Sequence, residues 1–369
     1  MSLGMHLPGG IVENVRKRPG MYCGDVGEYG LHHLVYFLLD VAYEEARRGE
    51  CRDVVLEVGG DGSIALFCTS RTVTAENLVR VATGAGFLGR PPGDGWGWDS
   101  MLVVSLALSS RYQVDIWADG RQWRVMGEHG HPQGEGAAVT PMEPMPVSAE
   151  RGVRVHFVPD ATIFEVLAFD RARLSRRCNE LAALAPGLRV SFADLQRGER
   201  TLWHLPGGVA QWAHVLTEAR PQLHPEPVVF DFTWDGLRVQ CALQWCEDED
   251  STLLSFANAV RTVRHGAHVK GVTQALRGAL AKLSGETRGA FPWARVAQGL
   301  TAIVAVSGPR RQMAFAGPTK ELLAIPGLEE AIRKQLQPLF IELLREHPVT
   351  PALLARRTSG SEGHHHHHH

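Results

Sequence analysis

Residues 15–46 read VRKRPGMYCGDVGEYGLHHLVYFLLDVAYEEA. The second half has apolar residues at positions 31, 34, 35, 38, 39 and 42. This period of about 3.6 residues predicts a helix with one apolar face over Leu31–Arg48. The first half contains Pro19-Gly20 and Gly24-Asp25, which are typical of turns. The stretch therefore predicts a turn-rich entry followed by a long, partly buried helix.

The opening stretch resembles the start of the ATPase domain of DNA gyrase B and of its topoisomerase IV relative. The resemblance rests on RKRPGMY at 16–22, GD at 24–25 and GLHH at 30–33, in that order and spacing. Similar short segments recur at Glu128-His129-Gly130, Gly207-Gly208, Leu243-Gln244-Trp245, Gly266-Ala267-His268 and Pro318-Thr319-Lys320-Glu321-Leu322. The resemblance therefore covers residues 5–357.

This resemblance implies an α+β fold with two domains. Residues 5–220 would form a two-layer Bergerat (GHKL) α/β sandwich. Residues 221–357 would form a smaller α/β transducer domain similar to ribosomal protein S5. The boundary is placed at Pro221–Pro227, because its three prolines end the preceding helix. Residues 358–369 end in six histidines, which is typical of a purification tag.

Composition limits the possible classes of function. Hydrophobic residues make up 44% of the chain, enough for ordinary cores, but runs such as Met101–Leu108 are too short to cross a bilayer. No secretory signal is visible, and the six cysteines lack metal-binding or CxxC spacing. We therefore expect reduced thiols in a cytoplasmic protein without a membrane partner. The net charge of −2 means that any DNA contact requires a local basic patch.

Periodicity and turn residues predict the remaining elements. Strands are predicted at Val54–Val58, Ser63–Phe67, Tyr112–Trp117, Gln122–Met126, Val153–Val158, Arg189–Asp194, Glu199–His204, Val228–Trp234, Val239–Cys246 and Leu300–Val306. Helices are predicted at Ala75–Thr83, Met101–Leu108, Arg171–Leu184, Val209–Ala219, Val269–Leu283 and Leu328–Glu346. Gly84–Gly97 has six glycines and two prolines in 14 residues, so it is expected to be a flexible loop or an ATP lid.

The positions that hydrolyse ATP in the family are altered here. After the double histidine, the family helix carries a glutamate that activates water and, four residues later, an asparagine that holds magnesium. The matching residues are Phe37 and Val41. A phenyl ring cannot deprotonate water, and magnesium requires oxygen ligands. Glu44 lies on the same helical face, roughly 10 Å farther along the axis, too far to replace the base without moving the helix. Asp40 matches a family aspartate beside the site and is expected to be structural.

The adenine position differs as well. The family has an aspartate at the end of a strand, followed by a DxGRGIP turn, whereas residues 68–74 read CTSRTVT. Cys68 is a weak acceptor, and loss of a charge-assisted hydrogen bond lowers affinity by about 10–100-fold. Val153 replaces a family threonine that assists adenine recognition. Arg71 is retained, and in the family it pairs with a glutamate that matches Glu45.

The phosphate loop differs from the family's GGLHGVG. Residues 93–101 read GDGWGWDSM, so Asp99 places negative charge where a phosphate would sit. The alternative is that Asp99 is simply the N-cap of a helix, which is favourable when no phosphate is bound. Lys320 matches a family lysine that contacts the γ-phosphate, but Pro318 replaces a glutamine before it, and a solvated lysine is the alternative. The resemblance therefore implies no catalytic residue, no metal site and no bound cofactor, although the family uses ATP and Mg²⁺.

A basic stretch lies in the second domain. Residues 261–295 hold seven lysines and arginines against one acid. The candidate DNA-binding residues are Arg261, Arg264, Lys270, Arg277 and Lys282. In gyrase relatives this domain lines a cavity through which DNA passes, so these side chains could contact phosphates without sequence specificity. The alternative is a solvated helix face that balances the acidic run Glu247–Asp250. The pair His32-His33 is expected to pack in the core, because adjacent helical residues point about 100° apart.

These features predict a truncated, degenerate relative of DNA gyrase B that has lost ATP hydrolysis and acts by binding or regulation. The predicted partners are DNA, gyrase subunits and a second copy of the chain in a homodimer. The alternative is a functional ATP-hydrolysing subunit fragment of a type II DNA topoisomerase, in which Glu44 or Glu45 replaces the lost base. A third possibility is a DNA-binding module that uses the basic stretch.

Overall fold

The chain folds into two compact units, residues 1–206 and 207–369. The computed structural model describes residues 10–76, 98–285, 291–317 and 319–356. The predicted loop Gly84–Gly97, the predicted helix Ala75–Thr83 beyond residue 76 and the histidine tail lie outside the described residues. Within the described ranges, no helix has both the length and the apolar character needed to cross a membrane.

The first unit is built on one mixed eight-stranded sheet. Its helices are α1 (Gly10–Lys17), α2 (Gly20–Cys23), α3 (Glu28–Arg47), α4 (Trp98–Ala107) and α5 (Arg171–Leu184). Its strands are β1 (Asp53–Val58), β2 (Ile64–Thr69), β3 (Ser109–Ala118), β4 (Arg121–Glu128), β5 (His131–Thr140), β6 (Gly152–Pro159), β7 (Arg189–Asp194) and β8 (Glu199–His204). The strand order is β5-β4-β3-β6-β2-β1-β7-β8, and β1 runs parallel to β7.

Helix α3 forms where the apolar period predicted it and packs against α4, α5 and β2. Its fully buried side chains include Leu31, Leu34, Val35, Leu38, Val41 and Ala42. At its start, Asp25 Oδ1 accepts hydrogen bonds from the amides of Gly27 and Gly30 at 3.0 and 2.8 Å. A Cβ atom at Gly30 would lie 1.9 Å from Asp25 O, so this close approach requires glycine.

Strand pairing confirms the predicted hairpins of this unit. Strands β1 and β2 pair with Val54 opposite Cys68, and β7 and β8 have the predicted bounds. Asp119 and Gly120 have φ of 54° and 72°, the left-handed pair that joins two strands through a tight turn. The sequence pattern does not predict β5. That strand lies at the sheet edge, contains two glycines with positive φ and pairs with β4 through a register shift, so it lacks regular alternation.

The second unit combines a five-stranded sheet with a pair of long helices. Its helices are α6 (Gly208–Thr217), α7 (Ala267–Ser284), α8 (Trp293–Ala297), α9 (Leu328–Leu344) and α10 (Thr350–Ala355). Its strands are β9 (Val228–Trp234), β10 (Leu237–Trp245), β11 (Thr252–Ala257), β12 (Val260–Arg261) and β13 (Leu300–Ser307), in the order β12-β11-β13-β10-β9. The sequence pattern does not predict β11 or β12. Helix α6 packs on β10 and β13, so this unit begins before the proline segment Pro221–Pro227.

Close packing of α7 on α9 depends on two glycines. A Cβ atom at Gly271 would lie 2.7 Å from Glu329 O, and one at Gly278 would lie 2.6 Å from the Gln337 side chain. Such distances are shorter than ordinary contacts, so larger residues here would push the two helices apart. The glycines therefore set the helix spacing, and the apolar residues of both helices close the core of this unit.

A buried ion pair joins the opening motif to the rest of the first unit. Arg16 Nη2 donates to Asp160 Oδ2 at 2.7 Å, and Arg16 Nη1 donates to Ala107 O at 2.8 Å. The Asp160 side chain is 2% exposed and also accepts hydrogen bonds from the amide and hydroxyl of Thr162. Burial raises the pKa of Asp160, but the hydrogen bonds from Arg16 and Thr162 outweigh it and hold the pKa below its usual range.

We expect Asp160→Asn to lower the free energy of unfolding by about 2–4 kcal/mol at pH 7, because Arg16 loses its buried partner. The folded pKa of Asp160 lies below the unfolded value of about 3.9, so its contribution is complete above that value. The contribution is lost as the pH falls through the folded pKa. Urea denaturation should therefore show that the difference between wild type and variant narrows in acid.

Asp119→Asn is the matched control. Asp119 pairs with Arg151 at 2.6 Å, but its side chain is 64% exposed, so the change should cost less than about 1 kcal/mol. Equal losses from the two substitutions would contradict the assignment of Asp160 as a buried anchor.

Candidate functional site

Three residues that the sequence analysis placed at the nucleotide site are buried in the first unit. Val41 on α3, Cys68 on β2 and Val153 on β6 are each 0% exposed. Cys68 and Val153 are cross-strand partners, and α3 packs against β2. These three side chains end in hydrocarbon or sulfur, so they offer neither the oxygen ligands of magnesium nor a charged acceptor for an adenine amine.

The position of the family's base is part of an aromatic row on α3. Phe37 is half-buried, and its ring lies 5.9 Å from that of His33 in an edge-on arrangement. His33 in turn lies 4.0 Å from the ring of Tyr29. The three residues are spaced four apart, so they share one helical face. At the position predicted for the base, the side chain is therefore a phenyl ring, which cannot take a proton from water.

Two of the carboxylates of α3 near these positions, Asp40 and Glu44, pair with arginines. Asp40 pairs with Arg177 of α5 at 3.3 Å. Glu44 is 7% exposed and accepts hydrogen bonds from Arg47 at 2.5 and 3.2 Å. That hydrogen bond raises the pKa of Arg47. Arg48 adds a contact to Glu44 at 3.5 Å. Glu44 therefore belongs to a cluster on its own helix.

Cys68 is held as an uncharged thiol. Its Sγ lies 2.7 Å from Cys51 Sγ and 3.2 Å from Thr69 O. Burial and the hydrogen bond with Cys51 raise the pKa of Cys68 well above its usual value. A neutral thiol directed at another thiol and a carbonyl cannot replace the carboxylate that the family uses at this position.

The turn after β2 is fixed by its own hydroxyl. Ser70 Oγ accepts a hydrogen bond from the amide of Val73 at 3.2 Å. The retained Arg71 is exposed, and its amide donates to Glu50 O at 3.1 Å, whereas Glu45 is 1% exposed. Arg71 therefore presents its guanidinium at the surface of the first unit.

Other predicted phosphate contacts are placed only in part. The glycines of 93–97 and Pro318 lie outside the described residues, and α4 begins at Trp98. Lys320 belongs to the second unit and is exposed. Among the residues that the structure describes, no cluster of three or more His, Cys, Asp or Glu could hold a metal ion.

The basic stretch of the second unit divides into exposed and engaged side chains. Arg264, Lys270 and Lys282 are exposed. Arg277 is half-buried, and its Nε donates to Phe291 O at 2.8 Å. The Arg261 guanidinium is also half-buried and lies 5.9 Å from the ring of Phe256. Three of the five predicted DNA-binding residues therefore present charge to solvent.

His32 has a structural role that the sequence predicted only as core packing. The side chain is 0% exposed and its Nδ1 donates to Glu28 O at 2.7 Å. Its Nε2 then accepts a hydrogen bond from the amide of Asp170 at 2.8 Å, at the N-cap of α5. Burial lowers the pKa of His32, so the neutral ring fits this donor and acceptor pattern. No local sequence signal marks a contact between residues so far apart.

Comparison with known proteins gives consistent matches. The model of the DNA gyrase B family matches residues 208–360. A crystal structure of the B-subunit of the DNA gyrase from Myxococcus xanthus is 89% identical, with a TM-score of 0.82 over 94% of this chain and 100% of that chain. The 43K ATPase domain of Thermus thermophilus gyrase B, in complex with an aminocoumarin, is 26% identical with a TM-score of 0.75, over 95% of each chain.

Curated relatives are longer than this chain. The chloroplastic/mitochondrial DNA gyrase B protein of Oryza sativa is 30% identical over 91% of this chain, which spans 49% of that protein. The chain thus spans about half the length of this relative. The structural matches confirm the predicted fold class, a GHKL α/β sandwich followed by a smaller α/β domain.

We expect His32→Ala to lower the free energy of unfolding by about 2–4 kcal/mol at pH 7.5, because it leaves the Asp170 amide unpaired and opens a cavity. His32→Gln should cost less, since an amide oxygen can accept the same hydrogen bond. The folded pKa of His32 is lowered, so its contribution is complete above the unfolded value of about 6.5 and declines in acid. Urea denaturation from pH 7.5 to 5 should show wild type approaching His32→Gln, and parallel curves would contradict this role.

Proposed function

Because the chain belongs to the DNA gyrase B family, we propose that it keeps the fold of that family's ATPase region without the groups that hydrolyse ATP. Its role would be binding or regulation, with DNA and gyrase subunits as partners and with self-association as a homodimer. ATP and Mg²⁺, which the family uses, would have no functional site on this chain.

One observation supports this proposal above the others. The base, metal and adenine positions are Phe37, Val41 and Cys68, and the last two are completely buried. Loss of the base alone reduces a rate by about 10²–10⁴-fold. Loss of the metal ligand also leaves the triphosphate charge without a counter-ion, and loss of the carboxylate at Cys68 removes an adenine contact. A single replacement could be compensated by a neighbour, but three such losses within one fold would each need a separate compensation.

The rival function is ATP hydrolysis with Glu44 or Glu45 as the base. Glu44 is a poor candidate because Arg47 and Arg48 already neutralise it. Glu45 is 1% exposed, so water would need access to a buried carboxylate. Neither residue supplies the magnesium ligand that is missing at Val41. The contacts of α3 therefore favour a chain that does not hydrolyse ATP.

Duplex DNA is the ligand that we propose for the second unit. Arg264, Lys270 and Lys282 are exposed cations in the second unit of a chain whose net charge is −2. Exposed lysines and arginines contact phosphates without reading bases. Binding through them would release counter-ions and would therefore depend strongly on salt. Arg277 is expected to contribute little, because it already donates to Phe291 O.

Calorimetric titration of the full chain with ATP and Mg²⁺ should show no binding in the micromolar range, and phosphate release should stay at background. The same samples should melt cooperatively, which shows that absence of binding is not absence of fold. Micromolar affinity that requires Mg²⁺ would contradict the proposal. Phosphate release that disappears in Glu44→Gln or Glu45→Gln, but not in the matched Glu28→Gln, would establish the rival.

Duplex binding should weaken as salt is raised, and Lys270→Ala should reduce the slope of log K against log salt by about one. Lys334→Ala is the matched control, because Lys334 is 70% exposed in the same unit and pairs with Glu330 at 3.3 Å. Fluorescence anisotropy with a labelled duplex at several salt concentrations measures both. Affinity that does not change with salt concentration, or equal effects of the two substitutions on the slope, would contradict DNA binding through this stretch.

A further inference from the structure

Two buried cysteines meet where β2 ends. Cys51 and Cys68 are 5% and 0% exposed, and their Sγ atoms lie 2.7 Å apart. All six cysteines of the chain lie in the described ranges and are buried as thiols. Within those ranges, the other four make no contact with a second thiol. The pair is therefore a local feature and does not reflect a general richness in cysteine.

The backbone around the two thiols is held by hydrogen bonds on both sides. Thr69 Oγ1 accepts from the amides of Arg52 and Asp53 at 2.9 and 3.0 Å. The Arg71 amide donates to Glu50 O at 3.1 Å, and Val54 pairs with Cys68 in the β1–β2 ladder. These contacts fix the segment before β1 against the end of β2. Because the two sulfurs already lie 2.7 Å apart, they need to approach by only about 0.7 Å to reach disulfide bond length.

We propose that Cys51 and Cys68 are an oxidisable dithiol, which a hydroperoxide converts to a disulfide. The Cys51 thiolate attacks the terminal peroxide oxygen, the O–O bond breaks and Cys51 becomes a sulfenic acid while the leaving oxygen takes a proton. Cys68 sulfur then attacks the sulfenic sulfur, the S–O bond breaks, and the hydroxide takes the Cys68 proton to form water. Two thiols and hydrogen peroxide thus give one disulfide and two waters, with the peroxide as the two-electron oxidant.

The environments of the two sulfurs set the order of attack. Cys51 is the more accessible of the two, so it meets the oxidant first. Burial raises the pKa of Cys68 well above its usual value, so Cys68 remains a thiol that resolves the sulfenic acid at close range.

The disulfide would change the edge of the altered nucleotide site. It would link the entry of β1 to the end of β2, immediately before the turn that begins at Ser70. It would also remove the contact of the Cys68 thiol with Thr69 O at 3.2 Å. The cross-link would join residues that are 17 positions apart and would restrict the unfolded chain. The oxidised protein should therefore melt at a higher temperature than the reduced protein.

Thiol counting on the full chain tests the proposal. After treatment with hydrogen peroxide and alkylation in denaturant, intact mass should show four labelled thiols in place of the six cysteines, with a peptide that joins Cys51 to Cys68. A reductant should restore all six. The melting temperature should rise by roughly 5–10 °C and return on reduction. Sulfoxide at the exposed Met21, Met126 and Met142 reports that the oxidant has acted.

Three variants complete the test. Neither Cys51→Ser nor Cys68→Ser should form the disulfide under the same treatment. Cys51→Ser should keep its five thiols, whereas Cys68→Ser should lose the Cys51 thiol alone, because its sulfenic acid has no resolving partner. Cys178→Ser, which removes a buried thiol without a thiol neighbour, should still lose two. Wild-type protein that keeps six thiols when its exposed methionines are oxidised would overturn the proposal, as would over-oxidation without the cross-linked peptide. If a serine variant fails to fold, the wild-type peptide map decides the question alone.

Discussion

The packing of α3 against α4, α5 and β2 is the contact on which the first unit depends. Burial of each large apolar side chain contributes about 1.5–3 kcal/mol, and α3 buries an unbroken face from Leu31 to Ala42. In the family, the same helix also carries the polar groups that act on ATP. Here Val41 is completely buried and extends the apolar face of the helix. Sites with buried polar groups cost stability, and their replacement by hydrocarbon removes that cost.

The acidic side chains of this helix are also involved in contacts within the first unit. Asp40 is bound by Arg177, whose guanidinium also stacks 4.4 Å from the Tyr36 ring, and Glu44 is bound by Arg47. An ATP site needs carboxylates that remain available to water or a metal ion. In this structure Arg177 and Arg47 already contact the Asp40 and Glu44 carboxylates, which agrees with the proposal that this chain does not hydrolyse ATP.

Local patterns predicted most of the elements, because apolar periods and turn residues act over a few positions. Strand β5 could not be predicted in this way, since its glycines and edge position remove the alternation that marks a strand. The site was predictable only as substitutions within a recognised motif. The contacts of these residues could not be predicted from the sequence. The ion pair of Arg16 with Asp160 and the contact of Cys51 with Cys68 join segments that only the folded sheet brings together.

The same limit applies to the basic stretch of the second unit. A sequence shows how many cations a segment contains, but the fold decides how many can meet a polyanion. Arg277 donates to Phe291 O, and Arg295 donates to Leu354 O at 2.7 Å, so both help to connect α7, α8 and α10. Among the described residues of this stretch, Arg264, Lys270 and Lys282 remain exposed to phosphates, few charges on a chain that is slightly acidic. Because the salt dependence of DNA binding scales with the number of phosphates neutralised, so small a set predicts a shallower dependence than the seven cations in the sequence would give.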